Sequence, residues 1–118
     1  MRRRAHVDAN QDDILRALRS AGITARSLAA MGKGIPDILA GFRGVNVLLE
    51  VKNPAAARGT AQALELTVDE KDFHETWAGQ VRVVTSPEEA VQAVVDVVGR
   101  LDGWATRMPA TSVSITAL

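Results

Sequence analysis

A chain of 118 residues, with 47% hydrophobic and 24% charged side chains, has the length and composition of one soluble globular domain. Cysteine is absent, which excludes disulfides and thiolate metal sites. The basic residues 2–4 are not followed by the apolar segment of a secretory signal, and no apolar run is long enough to cross a membrane, so we expect a cytoplasmic protein.

The net charge is zero, but the charges are unevenly distributed along the chain. Residues 1–58 contain ten Lys or Arg and five Asp or Glu, whereas residues 59–118 contain four and nine. This asymmetry favours one basic face, which would suit the phosphates of a nucleic acid. The alternative, that the two halves mix in space and cancel, stays open at this point.

The first predicted element is a helix that begins at Asp8 or Asn10, both of which are common helix caps. It ends near Ala21, because Gly22 follows. Residues 1–7 before it form a basic arm, which either contacts a DNA backbone or is solvated. Apolar residues at three- and four-residue spacing give the helix one buried face: Ile14, Leu15, Leu18 and Ala21.

Three strands are predicted next. Residues 23–30 form a weak strand, because Ala and Ser dilute the residues that favour β-structure. Residues 38–40 and 47–49 are apolar runs on either side of a turn-forming segment, residues 41–46, and this arrangement predicts a β-hairpin. An exposed turn precedes the hairpin, where glycines let the backbone approach a ligand and a lysine can hold a phosphate: Gly32, Lys33 and Gly34.

The hairpin is expected to bring two acidic residues together. Asp37 begins the first strand and Glu50 ends the second, so antiparallel pairing places both at the open end. Lys52 points to the same side as Glu50, because side chains alternate along a strand. Carboxylates are typical ligands of Mg²⁺, and a lysine beside such a metal can orient a water or stabilise charge on phosphorus. On spacing alone, an ordinary surface Glu/Lys pair stays open as an alternative.

The segment after Lys52, residues 55–65, is predicted to be either a flexible loop or a broken helical turn next to this site. Arg58 is its only cation and a candidate phosphate contact. Thr67 then caps a second helix, with Glu70 completing a capping box. The sequence Asp69-Glu70-Lys71 repeats the acid-x-Lys spacing of Glu50 and Lys52, but at a helix start, so we predict a solvated face.

The second helix continues with Phe73 and Trp77, which are predicted to be its buried side, and with His74, which is predicted to be structural. A short strand, residues 81–85, and a third helix, residues 87–99, follow, and residues 100–118 form a C-terminal tail without a strong pattern. The element order predicts an α/β fold with a mixed sheet flanked by helices. The third helix has this apolar face: Ala90, Val91, Val94, Val95 and Val98.

Residues 32–37, with the sequence GKGIPD, followed by Glu50-Val51-Lys52, resemble the signature of the PD-(D/E)xK nuclease superfamily. Within it, the chain is most similar to small phage and bacterial VRR-NUC or Holliday-junction-resolvase-like proteins. The resemblance extends from about Asp8 to Ala90. The other residues that carry it are Asn10-Gln11, Leu66-Thr67, Phe73-His74, Trp77 and Gly79-Gln80-Val81.

The resemblance implies one restriction-endonuclease-like domain with an αβββαβ core, which hydrolyses phosphodiester bonds of branched or duplex DNA with Mg²⁺ or Mn²⁺. Asp37 and Glu50 would be metal ligands, the Val51 carbonyl a third ligand, and Gln11 a direct or water-mediated contact. Lys52 would orient or activate the attacking water. Related enzymes often act as dimers, so we expect a homodimer by analogy. The residues expected to contact DNA are Gly32, Lys33, Gly34 and Arg58.

Two other interpretations stay open. The first is a catalytically idle DNA-binding module on the same fold, and the second is a small dimeric interaction protein without a nucleic-acid role. Nuclease assays with Mg²⁺ or Mn²⁺ separate an enzyme from both. Salt-dependent DNA binding separates the two alternatives from each other, because phosphate contacts release counterions.

Overall fold

Three helices and four strands make up the described part of the chain. The computed structural model describes the backbone of residues 2–54 and 65–107 and the side chains of residues 9–54 and 65–102. The helices are α1 (Arg2–Ser20), α2 (Val68–Thr76) and α3 (Pro87–Arg107), and a 3-10 turn spans Ala29–Met31. The strands are β1 (Thr24–Ser27), β2 (Ile38–Phe42), β3 (Val45–Val51) and β4 (Val81–Val84). This order confirms the predicted α/β fold, and its restriction-endonuclease-like classification stays a prediction.

The strands form one mixed sheet in the order β1-β2-β3-β4. β1 and β2, and β2 and β3, pair antiparallel, whereas β3 and β4 pair parallel. The predicted hairpin is confirmed, with Phe42 opposite Val45, so its turn is two residues and shorter than the predicted segment 41–46. Arg43 and Gly44 occupy that turn with φ values of 53° and 79°, which is the conformation that a tight two-residue hairpin requires.

The hydrophobic core lies between one face of this sheet and the helices α1 and α3. Alternation along β2 and β3 directs every second side chain to that face, and α1 and α3 contact each other above it. Among the described residues, no helix is both long and apolar enough to cross a bilayer. The fully buried members of this core include Ile14, Leu18, Ile38, Ala40, Val47, Leu49, Ala90 and Val94.

Two predicted helix ends are wrong. α1 begins at Arg2, so residues 2–7 continue the helix backbone rather than forming an arm before it. Arg and Ala have high helix propensity, and the capping signals at Asp8 and Asn10 do not overcome it. α3 passes Gly99 and Gly103 and reaches Arg107, since a glycine in a helix costs only about 1 kcal/mol. Residues 108–118 of the predicted tail lie outside the described residues.

Smaller differences concern β1 and the buried face of α3. β1 spans four residues, and the predicted strand 23–30 is interrupted by the 3-10 turn that follows it. Val97 belongs to the core, whereas Val95, predicted to be buried, is 45% exposed. The apolar face of α3 is therefore rotated slightly from the predicted one, because α3 packs against both α1 and the sheet.

α2 covers the opposite face of the sheet only partly. Its predicted capping box is confirmed, with Thr67 and Glu70 bonded reciprocally. No residue of α2 is buried, and Trp77, predicted to be on the buried side, is 47% exposed. The start of α2 instead packs closely on Gly34, where a Cβ atom would overlap the backbone of Asp69.

We expect Gly34→Ala to destabilise the fold more than Gly44→Ala. Both glycines have φ of 79°, so both variants incur the left-handed strain of about 1–2 kcal/mol. Only at Gly34 does the added methyl group meet other atoms, since nothing lies within 4 Å of the Cβ position at Gly44. Urea unfolding of the two variants measures the difference. Equal losses would show that α2 is not held by this close approach.

Candidate active site

Asp37 and Glu50 meet at the open end of the β2–β3 hairpin. Asp37 directly precedes the Ile38–Leu49 pair and Glu50 directly follows it. The backbone N–H of Val51 donates a hydrogen bond of 2.8 Å to Asp37 Oδ2. The predicted proximity of the two carboxylates is therefore confirmed, whereas their catalytic and metal-binding roles stay predictions.

Glu50 is buried in an environment that disfavours its charge. The residue is 2% exposed, and its Oε1 atom lies buried without a hydrogen-bond partner among the described residues. The pKa of Glu50 is raised to about 9. Burial is the main cause, the hydrogen bond and the charge of Asp37 and then the charge of Glu70 add to it, and Lys52 opposes it. Two carboxylates this close repel each other when both are ionised, unless a cation lies between them.

Lys52 is held by an ion pair with α2. Its Nζ atom lies 2.6 Å from Glu70 Oε1, and the two side chains are 13% and 18% exposed. The same Glu70 oxygen accepts the Thr67 N–H at 2.9 Å. Although burial raises the pKa of Glu70, hydrogen bonds from Lys52 and Thr67 outweigh it and lower that pKa overall. One carboxylate thus caps α2 and fixes the position of Lys52.

Glu70 is the site residue that sequence reasoning assigned incorrectly. The prediction of a solvated face holds for Asp69 and Lys71, which are exposed, but is wrong for Glu70. The capping-box pattern identifies Glu70 as a cap, but it carries no information about Lys52, which precedes Glu70 by 18 residues. The ion pair also joins the basic and acidic halves of the chain, so the two halves mix at this point.

His74 lies one turn after Glu70 on α2, on the side of the site. Its Nε2 atom is buried without a hydrogen-bond partner among the described residues. Burial lowers the pKa of His74, Glu70 opposes this effect and Lys52 adds to it. The imidazole is therefore more readily neutral than in water. The lowered pKa and the unpartnered nitrogen are signals that the sequence alone does not supply.

Gln11 lies on the core-facing side of α1 and is 5% exposed. Residues 21–23 connect α1 to β1, so the two elements run antiparallel, and Gln11 lies about 13 Å back from the end of α1. Its amide makes no hydrogen bond with either carboxylate among the described residues. Its metal contact stays a prediction, as does that of the Val51 carbonyl.

The turn at Gly32, Lys33 and Gly34 has a left-handed backbone, with φ values of 64°, 55° and 79°. Lys33 is exposed there, next to the start of α2. Arg43 lies in the hairpin turn at the opposite end of β2, with its guanidinium 5.2 Å from the centre of the Phe42 ring. Of Lys33 and Arg43, only Lys33 therefore lies near the end of the sheet that carries Asp37 and Glu50. Arg58 lies outside the described residues.

The residues at this site fit a hard divalent cation. Glu50 Oε1 is a buried acceptor without a partner, and Asp37 supplies a second carboxylate beside it. No group of three or more His, Cys, Asp or Glu side chains in the described parts of the chain is arranged to hold a metal. Two carboxylates suffice for Mg²⁺, which usually keeps waters and takes substrate phosphate oxygens as further ligands.

The comparisons with known proteins do not assign this site to a family. No protein-family model, curated protein or solved structure matches the chain. The interpretation therefore depends on the geometry described above and on the resemblance of the motif residues.

We expect Glu50→Gln to stabilise the protein in EDTA at pH 8 by more than about 1.4 kcal/mol, the equivalent of one pKa unit, because glutamine cannot ionise. Since the pKa of Glu50 is about 9 in the folded protein and about 4.5 in the unfolded chain, Glu50 is protonated in the folded protein and ionised in the unfolded chain between these pH values. The free energy of unfolding therefore falls as the pH rises through this range. The gain should therefore be small at pH 5 and larger at pH 8. Urea unfolding at the two pH values measures it.

Saturating Mn²⁺ should stabilise the wild-type protein more than Glu50→Gln, because only the wild-type protein keeps both carboxylates for the cation. A ligand at 100 times its Kd adds about 2.7 kcal/mol to the free energy of unfolding. Glu75→Gln, an exposed glutamate on α2, is the matched control and should stay within about 0.5 kcal/mol of wild type. Equal stabilisation of wild type and Glu50→Gln by Mn²⁺ would contradict a metal role for Glu50.

Proposed function

We propose that the chain is a divalent-metal-dependent DNA endonuclease of the PD-(D/E)xK type, which hydrolyses phosphodiester bonds. The observation that carries the proposal is the buried, unpartnered Oε1 of Glu50 beside Asp37, with Lys52 on the same strand end. A buried carboxyl group next to a second carboxylate is costly to a folded protein without a ligand. Its presence beside a lysine is expected where a cation and a phosphate bind together.

In this proposal Asp37 and Glu50 hold Mg²⁺ or Mn²⁺, the Val51 carbonyl is a third ligand, and Gln11 contributes directly or through water. When bound, the cation supplies Lewis-acid polarisation of a phosphodiester oxygen. Asp37 is kept in position by the Val51 N–H. Glu50 is kept in position by β3, whose pairing with β2 on one side and β4 on the other leaves it little freedom.

Lys52 acts on the reacting atoms. Its ammonium group has three N–H donors, one of which is directed at Glu70 at 2.6 Å. The others are available to a water molecule or to a phosphate oxygen. A donor fixed in advance in this way stabilises charge that develops on phosphorus without reorganising during the reaction.

Contacts with the DNA backbone are proposed for the turn that contains Gly32, Lys33 and Gly34, and for Arg58. Lys33 is exposed in a backbone conformation that its two flanking glycines support. Backbone N–H groups and a lysine at such a turn suit a phosphate. A homodimer acting on branched DNA is the expected assembly by analogy with similar nucleases.

One observation favours the second candidate, a catalytically idle DNA-binding module. Lys52 is already ion-paired with Glu70, and this carboxylate offsets part of the positive charge that would assist hydrolysis. Salt-dependent DNA binding in Ca²⁺, without cleavage in either Mg²⁺ or Mn²⁺, would support this candidate over the nuclease.

We expect Asp37→Asn and Glu50→Gln to lower the rate of cleavage by more than about 10²-fold, because each variant removes a proposed metal ligand. Loss of a residue that only hydrogen-bonds to a metal ligand already lowers metal affinity or activity by about 10- to 100-fold. Nicking of supercoiled plasmid and cutting of a four-way junction in Mn²⁺ measure the rate, with Glu75→Gln as the control. Cleavage by either variant at a rate near that of wild type would refute the assignment.

Lys52→Met keeps most of the aliphatic stem and removes the charge. We expect cleavage to fall by about 10²–10³-fold, the scale of one preorganised electrostatic group. Stabilisation by Mn²⁺ should persist, because lysine is not a ligand. Lys71→Met, at an exposed position next to Glu70, is the control and should cleave normally. Loss of the Mn²⁺ effect in Lys52→Met would make Lys52 a structural support of the carboxylates.

A further inference from the structure

An apolar groove adjoins the site on the same face of the sheet. It has a volume of about 420 Å³ and lies between the β2–β3 hairpin and α2. Leu39 and Leu48, which are cross-strand partners, line the sheet side. Phe73 and Trp77 line the helix side. Because side chains alternate, Leu39 and Leu48 lie two residues from Asp37 and Glu50, about 7 Å along each strand.

The aromatic side of the groove is held in place by its surroundings. The Phe73 and Trp77 rings are stacked, with centroids 4.9 Å apart and planes 18° apart. The indole also lies against Gly79, where a Cβ atom would come within 2.7 Å of Trp77 Nε1. Trp77 nevertheless stays 47% exposed. A large aromatic surface that is fixed in position and open to solvent binds a flat partner without the entropy cost of ordering the ring.

The lining of the groove separates it chemically from the neighbouring site. None of the described residues that line it is charged, whereas Asp37, Glu50 and Lys52 next to it are. The lining also includes two amide side chains, those of Asn46 and Gln80. Amides carry both donors and acceptors and match the hydrogen-bonding edges of nucleobases. The groove thus suits a flat, neutral ring with a polar edge, and the neighbouring site suits a phosphate.

We infer that the groove receives one unstacked nucleobase, adjacent to the phosphate that the proposed cation and Lys52 would hold beside Asp37 and Glu50. The inference rests on the proposed nuclease function and specifies its substrate class. The preferred substrate is DNA that contains an unpaired or displaced base, because in an intact duplex every base is stacked and cannot reach Trp77. Stacking on an aromatic side chain is sequence-tolerant, so the preference is for structure rather than for sequence.

The test compares two DNA duplexes that differ only in one bulged nucleotide. In the first, the bulge carries 2-aminopurine, and in the second it is abasic, so the phosphates are identical. Affinity is measured by fluorescence anisotropy in Ca²⁺ with the full chain. We expect binding to the base-containing bulge to be at least about tenfold tighter, within the range of one base–aromatic stack. We also expect the fluorescence of 2-aminopurine to be quenched on binding.

Variants of Trp77 test whether the groove causes the difference in affinity between the two bulged duplexes. Trp77→Leu should bring the affinity ratio of the two bulges close to one, and Trp77→Phe should retain part of it. Val95→Leu changes an exposed apolar residue on α3, on the other side of the sheet, and should leave the ratio unchanged. If Trp77→Leu does not fold, the comparison of the two bulges with wild-type protein still decides the inference.

Equal affinity of the wild-type protein for the two bulges, or a ratio that Trp77→Leu leaves unchanged, would overturn the inference. Loss of a dimer in Trp77→Leu, measured by sedimentation, with an unchanged ratio would overturn it in favour of a second copy of the chain in the groove. Cleavage in Mn²⁺ is scored separately on the same probes. Cleavage of both bulges without a base preference refutes only the groove, whereas a base preference without any cleavage refutes only the nuclease.

Discussion

The register of the β2–β3 hairpin is the constraint on which the site depends. The two-residue turn at Arg43 and Gly44 fixes Ile38 opposite Leu49, and this pairing alone sets Asp37 beside Glu50. A slip of one residue would turn Glu50 towards the core and Leu49 towards α2. Because Ile38 and Leu49 are both fully buried, such a slip would remove Leu49 from the core and put a carboxyl group in its place. The packing of the core therefore protects the geometry of the acidic pair.

Glu70 links the stability of α2 to the position of Lys52. Its carboxylate completes the capping box of α2 and accepts the Lys52 ammonium group on the same oxygen. The first turn of a helix favours negative charge, so the cap keeps Glu70 ionised and available to Lys52. α2 has no buried residue, and its attachment depends on this ion pair, on the close approach at Gly34 and on the partial burial of Phe73. Fraying of α2 would release Lys52 as well.

Local signals in the sequence were sufficient for most of the fold. The hairpin, the capping box of α2 and the start of α3 at Pro87 each follow from a few adjacent residues, and each is present. The ends of α1 and α3 were predicted wrongly because caps and glycines compete with helix propensity and with packing across the core. The ion pair of Lys52 with Glu70 and the exposure of Trp77 were missed because both depend on how α2 lies on the sheet. No local pattern encodes that arrangement.

The end of the sheet that carries Asp37 and Glu50 contains buried polar atoms that destabilise the free protein. Folded proteins rarely leave buried polar atoms without partners, yet Glu50 Oε1 and His74 Nε2 are both in that state. The core between α1, α3 and the sheet is apolar, so it supplies stability that does not depend on these groups. Glu50 and His74 lie on the other face, between the hairpin and α2, whereas a third such atom among the described residues, Asn10 Nδ2, lies on α1. A chain selected for stability alone would replace Glu50 by an apolar residue, as at Leu48 two positions earlier. The carboxyl group is thus a cost to the free protein, and the cation proposed between Glu50 and Asp37 would offset that cost.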